Sequence, residues 1–467
     1  MINNPQRIEP RVVGAIFATG LLSFCGVIVE TAMNITFPTL MREFGVATNT
    51  VQWLTTLYLL VVAALVPLSA TFKRRFKMRP LFLVAISFFI LGVILDGVAP
   101  AFWVLLLGRG IQGLGTGIAL PLMFNIILEQ VPQSKVGMMM GIGTMITGVA
   151  PAIGPTFGGL VVSALGWRYV FAFLLPVLIL ALVLGLLCIW QKAPVSRAHV
   201  DAPSVTLIVL TFCSLIFGIS NFGSQLLVSL PVGGALLLGV IALIAFTWRS
   251  LTIDHPIINL RLFASRRFTI SVLCFTALQI AALGLSFLLP NYIQLVNGNS
   301  ALQAGLIVLP GAVLGAILGP LSGRLHDHVG AGLPLRSGGF LTLVGICGMF
   351  LFGHQLNNGL IIATYILFMA GMGLSYGNIM TSGLSYLATA AQSDGNAIFN
   401  TLQQFAAALG TSVAAAMVAT GQKAVRNQAV GTANGTTHAL LILLVLVAVE
   451  LLLAVVNTRR ASTESIR

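Results

Sequence analysis

Charged residues are scarce in this sequence. Asp, Glu, Lys and Arg make up only 7% of its 467 residues, and hydrophobic residues make up 57%, whereas about a quarter of the residues in a soluble domain are charged. Apolar runs of about 20 residues, the length that crosses a bilayer, recur along the whole chain with only short polar breaks. The composition therefore excludes an ordinary soluble protein and predicts an all-α integral membrane protein.

Catalytic and nucleotide-binding patterns are also missing from the sequence. No Ser/His/Asp or Cys/His grouping has a recognisable spacing, and no Walker sequence for binding phosphate occurs. The five cysteines lie in apolar runs without a CxxC pair, which favours packing over metal ligation. His326 and His328 flank Asp327 in a polar loop, a pattern that fits loop contacts better than a metal site. We therefore predict no enzyme, no cofactor and no bound metal.

Fourteen apolar runs are long enough to be membrane spans. The first run is too long for a signal peptide and lacks a small-residue cleavage site, so we count it as a span. We place the spans at residues 12–38, 50–71, 80–97, 101–128, 136–162, 168–190, 203–222, 227–249, 268–290, 302–322, 334–353, 359–385, 396–418 and 438–457. An even number of spans places both termini on the same side of the membrane.

The basic residues indicate which side that is. If the N-terminus is cytoplasmic, all but five of the 24 Lys and Arg lie in inner loops and tails, the five being Arg42, Arg109, Arg168, Lys423 and Arg426. Since cytoplasmic loops carry such an excess, we predict a plasma-membrane protein with both termini in the cytoplasm. This topology also explains the net charge of +13. No basic domain interleaved with aromatic residues indicates a nucleic-acid partner.

An internal repeat indicates two related halves. Residues 67–79, PLSATFKRRFKMR, align without a gap with residues 320–332, PLSGRLHDHVGAG, and each segment leads from a span into an inner loop. Polar linkers follow the sixth and eighth spans. We therefore predict an N-terminal six-helix bundle in residues 1–190, a linker with two inserted transmembrane helices in 191–250, and a C-terminal six-helix bundle with a cytoplasmic tail in 251–467.

Two charged residues stand out inside predicted spans. Glu30 is the only charge between Val12 and Met41, and Asn34 shares its helix face one turn later. An intramembrane carboxylate commonly marks an ion pathway, although a polar contact between helices is the alternative. Arg109 lies about a third of the way through the fourth span, where a lone arginine costs ~2.5 to 3.5 kcal/mol on insertion scales. We expect Arg109 to face the bundle interior and to find a partner there.

Other charged groups have simpler interpretations. We expect Glu450, near the inner end of the last span, to reach the interface or to pair with Arg459 or Arg460, with a functional role as the alternative. Asp96 ends the third span and is expected to be solvated. Glu129 and Lys135 bracket an inner loop and are expected to cap and position helices.

The fifth span contains paired glycines and prolines in GVAPAIGPTFGG. Glycines remove side chains where another helix can approach closely, and prolines bend the backbone. Small residues four apart occur in many membrane helices, but two prolines among paired glycines in one half-span are more specific. The residues concerned are Gly148, Pro151, Gly154, Pro155, Gly158 and Gly159.

Four motifs give the chain its family resemblance: ETAMNITFP from Glu30, GRGIQGLGTG around Arg109, GVAPAIGPTFGG, and GPLSGRLHDHVG from Gly319. Together with the six-two-six layout they resemble the major facilitator superfamily, and within it the fourteen-helix drug:proton antiporters. The resemblance implies that Glu30, in place of the usual aspartate, carries the proton, that Arg109 assists its transfer, and that the glycine-proline segment serves efflux. It also implies a loop role for Arg324 and Asp327.

Two segments depart from the family pattern. The first loop copy has Ala70, Arg74 and Lys77 where the family has Gly, Asp and Gly, so the charge contact that helps to hold one conformation cannot form there in its usual way. Its basic residues indicate primarily that this loop is cytoplasmic, and contact with anionic lipid headgroups is the secondary interpretation. Residues 394–410 resemble the family's thirteenth span loosely, with Gln403 in place of an arginine.

The resulting functional expectation is a monomeric proton-coupled antiporter that exports lipophilic, often cationic drugs by alternating access. The alternative is a major facilitator transporter for a single metabolite. A membrane receptor or enzyme is disfavoured because no signalling domain or catalytic grouping is present. Drugs, protons and membrane lipids are the expected partners. Uncharged polar residues inside spans are expected to line the drug cavity: Asn34, Asn125, Gln279, Asn378, Asn400 and Gln403.

Overall fold

The protein is almost entirely helical in the computed structural model, which describes residues 8–46, 48–51, 53–191, 201–221, 228–254 and 256–464. Its α-helices, in chain order, are α1 (Pro10–Phe44), α2 (Thr48–Val51), α3 (Trp53–Leu65), α4 (Ser69–Arg75), α5 (Met78–Gly97), α6 (Phe102–Gln130), α7 (Val136–Ala164), α8 (Arg168–Cys188), α9 (Ala202–Asn221), α10 (Ala235–Thr252), α11 (Arg266–Leu295), α12 (Ala301–Val329), α13 (Gly332–Leu351), α14 (Asn358–Ser385), α15 (Gln392–Ala424) and α16 (Gln428–Glu464).

Most of these helices suit a membrane. Within the described ranges, 12 helices are long and apolar enough to cross a bilayer, which confirms the prediction of an all-α, multi-pass membrane protein. The set does not include α3 and α7, which occupy the second and fifth predicted spans. The count of fourteen spans therefore stays a prediction. We call the end of the molecule at which α1 begins the inner end, and the opposite end the outer end.

The long helices pack as two groups. In the first group, α1 contacts α6, α7 and α8, α5 contacts α6 and α8, and α3 contacts α6. In the second group, α14 contacts α12 and α13, while α16 contacts α11, α13 and α15. The groups meet chiefly where α7 runs along α12, with further contacts between α6 and α15. These two contacts form the main junction between the halves of the molecule.

Glycines bring α7 and α12 into backbone contact at the inner end. A Cβ at Gly141 would lie 2.7 Å from the carbonyl oxygen of Gly319, and one at Gly323 would lie 2.6 Å from that of Gly137. Such distances are shorter than real Cβ atoms tolerate, so side chains larger than hydrogen are excluded on both helices. The two groups therefore touch backbone to backbone at this position.

Hydrogen bonds join the groups at the same end. The backbone N–H of Met138, in the first turn of α7, donates to Asp327 Oδ2 at 3.2 Å. The Asn396 side-chain amide of α15 donates to Asn125 Oδ1 of α6 at 3.0 Å. Because one partner of each bond lies in each group, the inner ends of the two groups are held together in this conformation.

The inserted pair α9 and α10 forms a hairpin that contacts both groups. α9 packs against α3 of the first group and α15 of the second, with Trp53 and Phe217 rings 5.6 Å apart. Arg249 of α10 donates two hydrogen bonds of 2.7 Å to Asp201, which precedes α9. The Arg249 guanidinium holds the pKa of that carboxyl well below its usual range. This bidentate pair fastens the inner end of the hairpin.

Candidate functional site

Glu30 lies past the middle of α1, where three other helices meet it. Its side chain is half-buried, and it lies near enough to Arg109 and Tyr58 to interact electrostatically with both. One turn earlier, a Cβ at Gly26 would lie 2.9 Å from Tyr58 Oη and 2.6 Å from Thr116 Oγ1. The absence of a side chain at Gly26 therefore lets α3 and α6 come close to the face of α1 that carries Glu30.

Arg109 is fully buried and makes three contacts. Its Nε donates to the carbonyl oxygen of Leu54 at 3.2 Å, and its Nη1 donates to Gln112 Oε1 at 2.7 Å. The guanidinium carbon lies 4.1 Å from the ring centroid of Tyr58, within the range of a cation–π interaction. Its Nη2 has no hydrogen-bond partner among the described residues. A buried cation with one free donor is thus fixed in place beside Glu30.

Tyr58 and Thr116 complete this wall of the site. Tyr58 Oη donates to Thr116 Oγ1 at 2.9 Å, and both side chains are buried. The bond ties α3 to α6 and holds the tyrosine ring against the guanidinium of Arg109. A buried aromatic ring offers a cation an electrostatic contact without a counter-charge, so the ring stabilises Arg109 without neutralising it.

Asp96 extends the site, and the prediction that it is solvated is wrong. It is the second-last residue of α5, yet its side chain is 0% exposed, and its Oδ2 accepts a hydrogen bond of 2.7 Å from Gln112 Nε2. A Cβ at Gly108 of α6 would collide with Asp96 Oδ1. The lack of a side chain at Gly108 lets α6 cover the carboxylate, which position near a helix end does not reveal.

Two glycines of α7 pack against α1 at the residues that follow Glu30. A Cβ at Gly154 would collide with Thr31 Oγ1, and one at Gly158 would lie 2.9 Å from the carbonyl oxygen of Ala32. Gly159 faces α12 instead, where a Cβ would make an ordinary 3.8 Å contact with Leu302. The other predicted members of this motif, Gly148, Pro151 and Pro155, belong to α7, but their side-chain surroundings lie outside the described set.

The polar residues predicted to line a drug cavity occupy different environments. Asn125 lies in the contact between the groups at the inner end, and Asn400 donates to Asn396 Oδ1 at 2.8 Å. Asn378 donates to Ser322 Oγ at 2.6 Å and thus ties α14 to α12. Gln279 is buried and Gln403 is half-buried. The side chain of Asn34 lies outside the described residues.

Glu450, near the inner end of the last helix, is buried inside the protein. The prediction that it reaches the interface is wrong, whereas its pairing with Arg459 or Arg460 stays a prediction, because those side chains lie outside the described residues. Its side chain is 0% exposed, and neither carboxyl oxygen has a hydrogen-bond partner among the described residues. A Cβ at Gly339 of α13 would lie 3.3 Å from Glu450 Oε2, so the missing side chain leaves room for the carboxyl group between helices. Glu450 is therefore enclosed between helices although it lies near the inner end of α16.

The two loop copies differ in structure as they do in sequence. Asp327 of the second copy caps the start of α7 through the Met138 N–H, and Arg324 lies exposed beside it. In the first copy, Lys73 forms a 3.1 Å ion pair with Glu129 of the same helix group. The side chains of Ala70 and Arg74 lie outside the described set. The described contact of the second copy therefore crosses between the helix groups, whereas the described ion pair of the first copy lies within its own group.

Three side chains of the site were not identified from the sequence. Gln112 follows Arg109 by three residues, a helical spacing that places both on one face and could have revealed it. Tyr58 and Thr116 give no such signal, because an uncharged aromatic or hydroxyl residue in an apolar run is usually a packing residue. Within the described part of the chain, no three His, Cys, Asp or Glu residues are grouped so that they could hold a metal ion.

Comparison with proteins of known structure shows the same fold. The human organic anion transporter TETRAN superposes with a TM-score of 0.64 at 14% identity, covering 94% of this chain and 100% of that chain. The proton:xylose symporter XylE also superposes with a TM-score of 0.64 at 14% identity, covering 94% of each chain. At such low identity these likenesses establish the fold alone.

Sequence comparison gives closer relatives. Lincomycin resistance protein LmrB of Listeria monocytogenes is 34% identical over 428 residues, covering 91% of this chain and 90% of that protein. The LmrB protein of Bacillus subtilis is 37% identical over 404 residues, covering 86% and 84%. A multidrug resistance protein B homolog of Mycobacterium tuberculosis is 29% identical, covering 75% and 65%. The Major Facilitator Superfamily profile matches residues 19–411, and the chain, a membrane transporter rather than an enzyme, belongs to this superfamily.

Proposed function

We propose that this transporter exports lipophilic, often cationic drugs in exchange for protons, by alternating access between two six-helix bundles. The observation that carries the proposal is a half-buried carboxylate, Glu30, beside a fully buried arginine, Arg109, that keeps one unpaired guanidinium nitrogen. The names of the similar proteins, lincomycin resistance and multidrug resistance, support drugs as the substrate class.

Glu30 is the proton carrier in this proposal, and Arg109 assists it. A carboxylate within the membrane is costly unless it is neutral or paired with a positive charge. Glu30 therefore keeps its proton until a cation takes the proton's place. An entering cationic drug supplies that charge and displaces the proton, and after the drug has left on the outer side a proton from that side binds to Glu30 again. Drug and proton thus compete for one carboxylate, which is the requirement for exchange.

Alternating access depends on the contacts between the two helix groups. The Met138–Asp327 and Asn125–Asn396 hydrogen bonds hold the inner ends together and must break before a drug can enter from that side. The α7 glycines, which pack on α1 beside Glu30, connect the state of the carboxylate with this movement. The glycine-proline segment from Gly148 to Gly159 then packs the outer gate, and Gln279 and Gln403 contact the drug.

The same proposal includes the number of membrane spans and their orientation. α3 with the turn and helix that follow it, Trp53–Arg75, forms the second span, and the 29 residues of α7 form the fifth. This gives fourteen spans, with the inner end in the cytoplasm and the protein in the plasma membrane. The protein acts as a monomer.

Proteoliposomes under an imposed pH gradient test the function. We expect addition of ethidium or a fluoroquinolone to move both the drug and protons, with the drug accumulating against its gradient. Transport of neither drug, in vesicles that contain folded protein, would contradict drug export and would favour the alternative, a transporter for one metabolite. Drug movement that is indifferent to the pH gradient would contradict proton coupling alone.

Variants of Glu30 test its role. Glu30→Gln preserves size and hydrogen bonding but cannot titrate, so we expect it to abolish accumulation driven by the pH gradient. Glu30→Asp retains the acid and should keep part of the activity. A merely structural contact predicts the reverse order, because Gln is the closer isostere. Proton release on ethidium addition in detergent, measured at matched protein amounts, decides between these orders.

A further inference from the structure

One buried cation lies between two carboxylates in this structure. Arg109 interacts electrostatically with Glu30 on α1 and with Asp96 on α5. Glu30 is half-buried, whereas Asp96 is 0% exposed. A single guanidinium cannot fully neutralise two carboxylates, so their protonation states depend on each other.

The side-chain amide of Gln112 bridges Asp96 and Arg109, and its orientation between them is defined by its two hydrogen bonds. Arginine only donates hydrogen bonds, so the group of Gln112 that faces Arg109 Nη1 at 2.7 Å is its carbonyl oxygen. The amide nitrogen then faces Asp96 Oδ2, also at 2.7 Å, and Asp96 is the acceptor. The amide dipole therefore points its positive end at Asp96 and its negative end at Arg109, an orientation that favours an ionised Asp96.

Arg109 is the cation whose charge acts on Asp96. The elements packed against the end of α5 are α6, α8 and, more weakly, α1. α6 contributes Arg109, and α8 contributes Arg168, whose guanidinium donates to Glu43 Oε1 at 2.7 Å and to the carbonyl oxygen of Ala99 at 3.0 Å. α1 contributes Glu30 and, exposed at its outer end, Arg42 and Glu43. Among these charges, the electrostatic partner of Asp96 is Arg109, reached through the hydrogen bond from Gln112.

We propose that Asp96 is a second carboxylate of the coupling site, which holds Arg109 through Gln112 and so determines at which pH Glu30 releases its proton. The inference rests on Glu30 being the proton carrier. While Asp96 is ionised and engages Arg109, Glu30 lacks a full counter-charge and keeps its proton. When Glu30 ionises, it competes with Asp96 for the same guanidinium. Asp96 is a positioning residue, since it acts on Glu30 only through Gln112 and Arg109.

The test is the pH dependence of proton release when ethidium, a permanent cation that carries no proton, is added to the detergent-solubilised protein. Asp96→Asn can still accept from Gln112 but carries no charge, so Arg109 becomes available to Glu30. We expect the midpoint of proton release to move to lower pH by roughly one unit. Gln112→Met removes the relay and should move the midpoint in the same direction. Because both act on one path, the double variant should shift no further than the larger single shift.

Controls separate this inference from the proposed function. Asp201→Asn removes a carboxylate from the Arg249 pair at the inner end and should leave the midpoint unchanged. If the wild type releases no protons, or if Glu30→Gln still releases them, the proposed function fails. If wild type and Glu30→Gln behave as expected but Asp96→Asn and Gln112→Met keep the wild-type midpoint, only the role of Asp96 is overturned. Should Asp96→Asn not fold, Gln112→Met alone decides, since an unchanged midpoint there also overturns the role.

Discussion

Thr31, the residue after Glu30, lies directly against Gly154 of α7, and no side chain can be accommodated at that glycine. One turn later Gly158 meets the backbone of Ala32 in the same way. The helix that carries the proposed proton carrier Glu30 is thus in backbone contact with the helix that carries the glycine-proline segment. A change at either glycine must displace α1 and with it Glu30.

The first prediction uses two adjacent glycines with different surroundings. Gly158→Ala places a Cβ 2.9 Å from the Ala32 carbonyl oxygen, whereas Gly159→Ala makes only a 3.8 Å contact with Leu302. Overpacking of this kind costs ~1 to 3 kcal/mol. We expect Gly158→Ala to slow drug transport, Gly158→Leu to slow it more, and Gly159→Ala to leave it near wild type. Initial ethidium efflux rates at matched expression check this order, and equal rates for both alanine variants would contradict it.

The second prediction concerns how Arg109 is held. Arg109→Lys keeps the charge but cannot bond Leu54 and Gln112 while lying over the Tyr58 ring, so we expect proton-coupled transport to fall by at least about tenfold, or about 1.4 kcal/mol. Tyr58→Phe loses only the bond to Thr116 and should be mild. Tyr58→Ala also loses the cation–π contact, worth ~2 kcal/mol when desolvated. Transport rates in vesicles check this order. If Tyr58→Phe lowers the rate as much as Tyr58→Ala does, the effect belongs to the hydroxyl and not to the ring.

The third prediction tests the orientation of the molecule. Phe76 is exposed at the inner end, beside the basic residues that follow α4. A cysteine at Phe76 should react with a membrane-impermeant maleimide only from the cytoplasmic side, in a background without the native cysteines. A cysteine at Val98, exposed at the outer end, is the matched control and should react in intact cells. Labelling of the Phe76 variant in intact cells would reverse the proposed topology.

The fourth prediction concerns the fastening of the inserted hairpin. Because Arg249 lowers the pKa of Asp201, the pair stabilises the folded state above the ordinary Asp value of about 3.9 and loses this effect as the pH falls below it. Asp201→Asn should therefore lower the Tm of the detergent-solubilised protein. The decrease should be the same at every pH from 6 to 8, because this range lies ~2 units or more above the ordinary Asp pKa. The difference should shrink in acid. A constant difference down to acid pH would show that charge plays no part.

The sequence predicted most of the architecture because hydropathy is a local property. Most predicted spans coincide with a helix to within a few residues, and the four motifs correctly indicated the superfamily. The charged residues near span ends were predicted less well. Asp96 and Glu450 are buried because Gly108 and Gly339 on neighbouring helices have no side chain to occupy their space. Such burial depends on which helices are neighbours, and a single sequence does not specify that.

The partners of Arg109 show the same limit. That a lone intramembrane arginine needs partners follows from its charge, and Gln112 lies at a helical spacing from it. Tyr58 reaches it from another helix, across more than fifty residues of chain, and only the packing of α3 against α6 brings the two together. The site is therefore part local motif and part tertiary contact.

The α7 helix presents glycines on two faces. Gly154 and Gly158 lie against α1, while Gly137, Gly141 and Gly159 face α12. α7 thus lies between α1, which carries Glu30, and α12 of the other helix group, with glycines on both contact faces. A surface without side chains has no interlocking ridges that must be lifted over one another, so sliding along it meets a low kinetic barrier. Substitutions on this helix should therefore change turnover before they change the affinity for drug or proton.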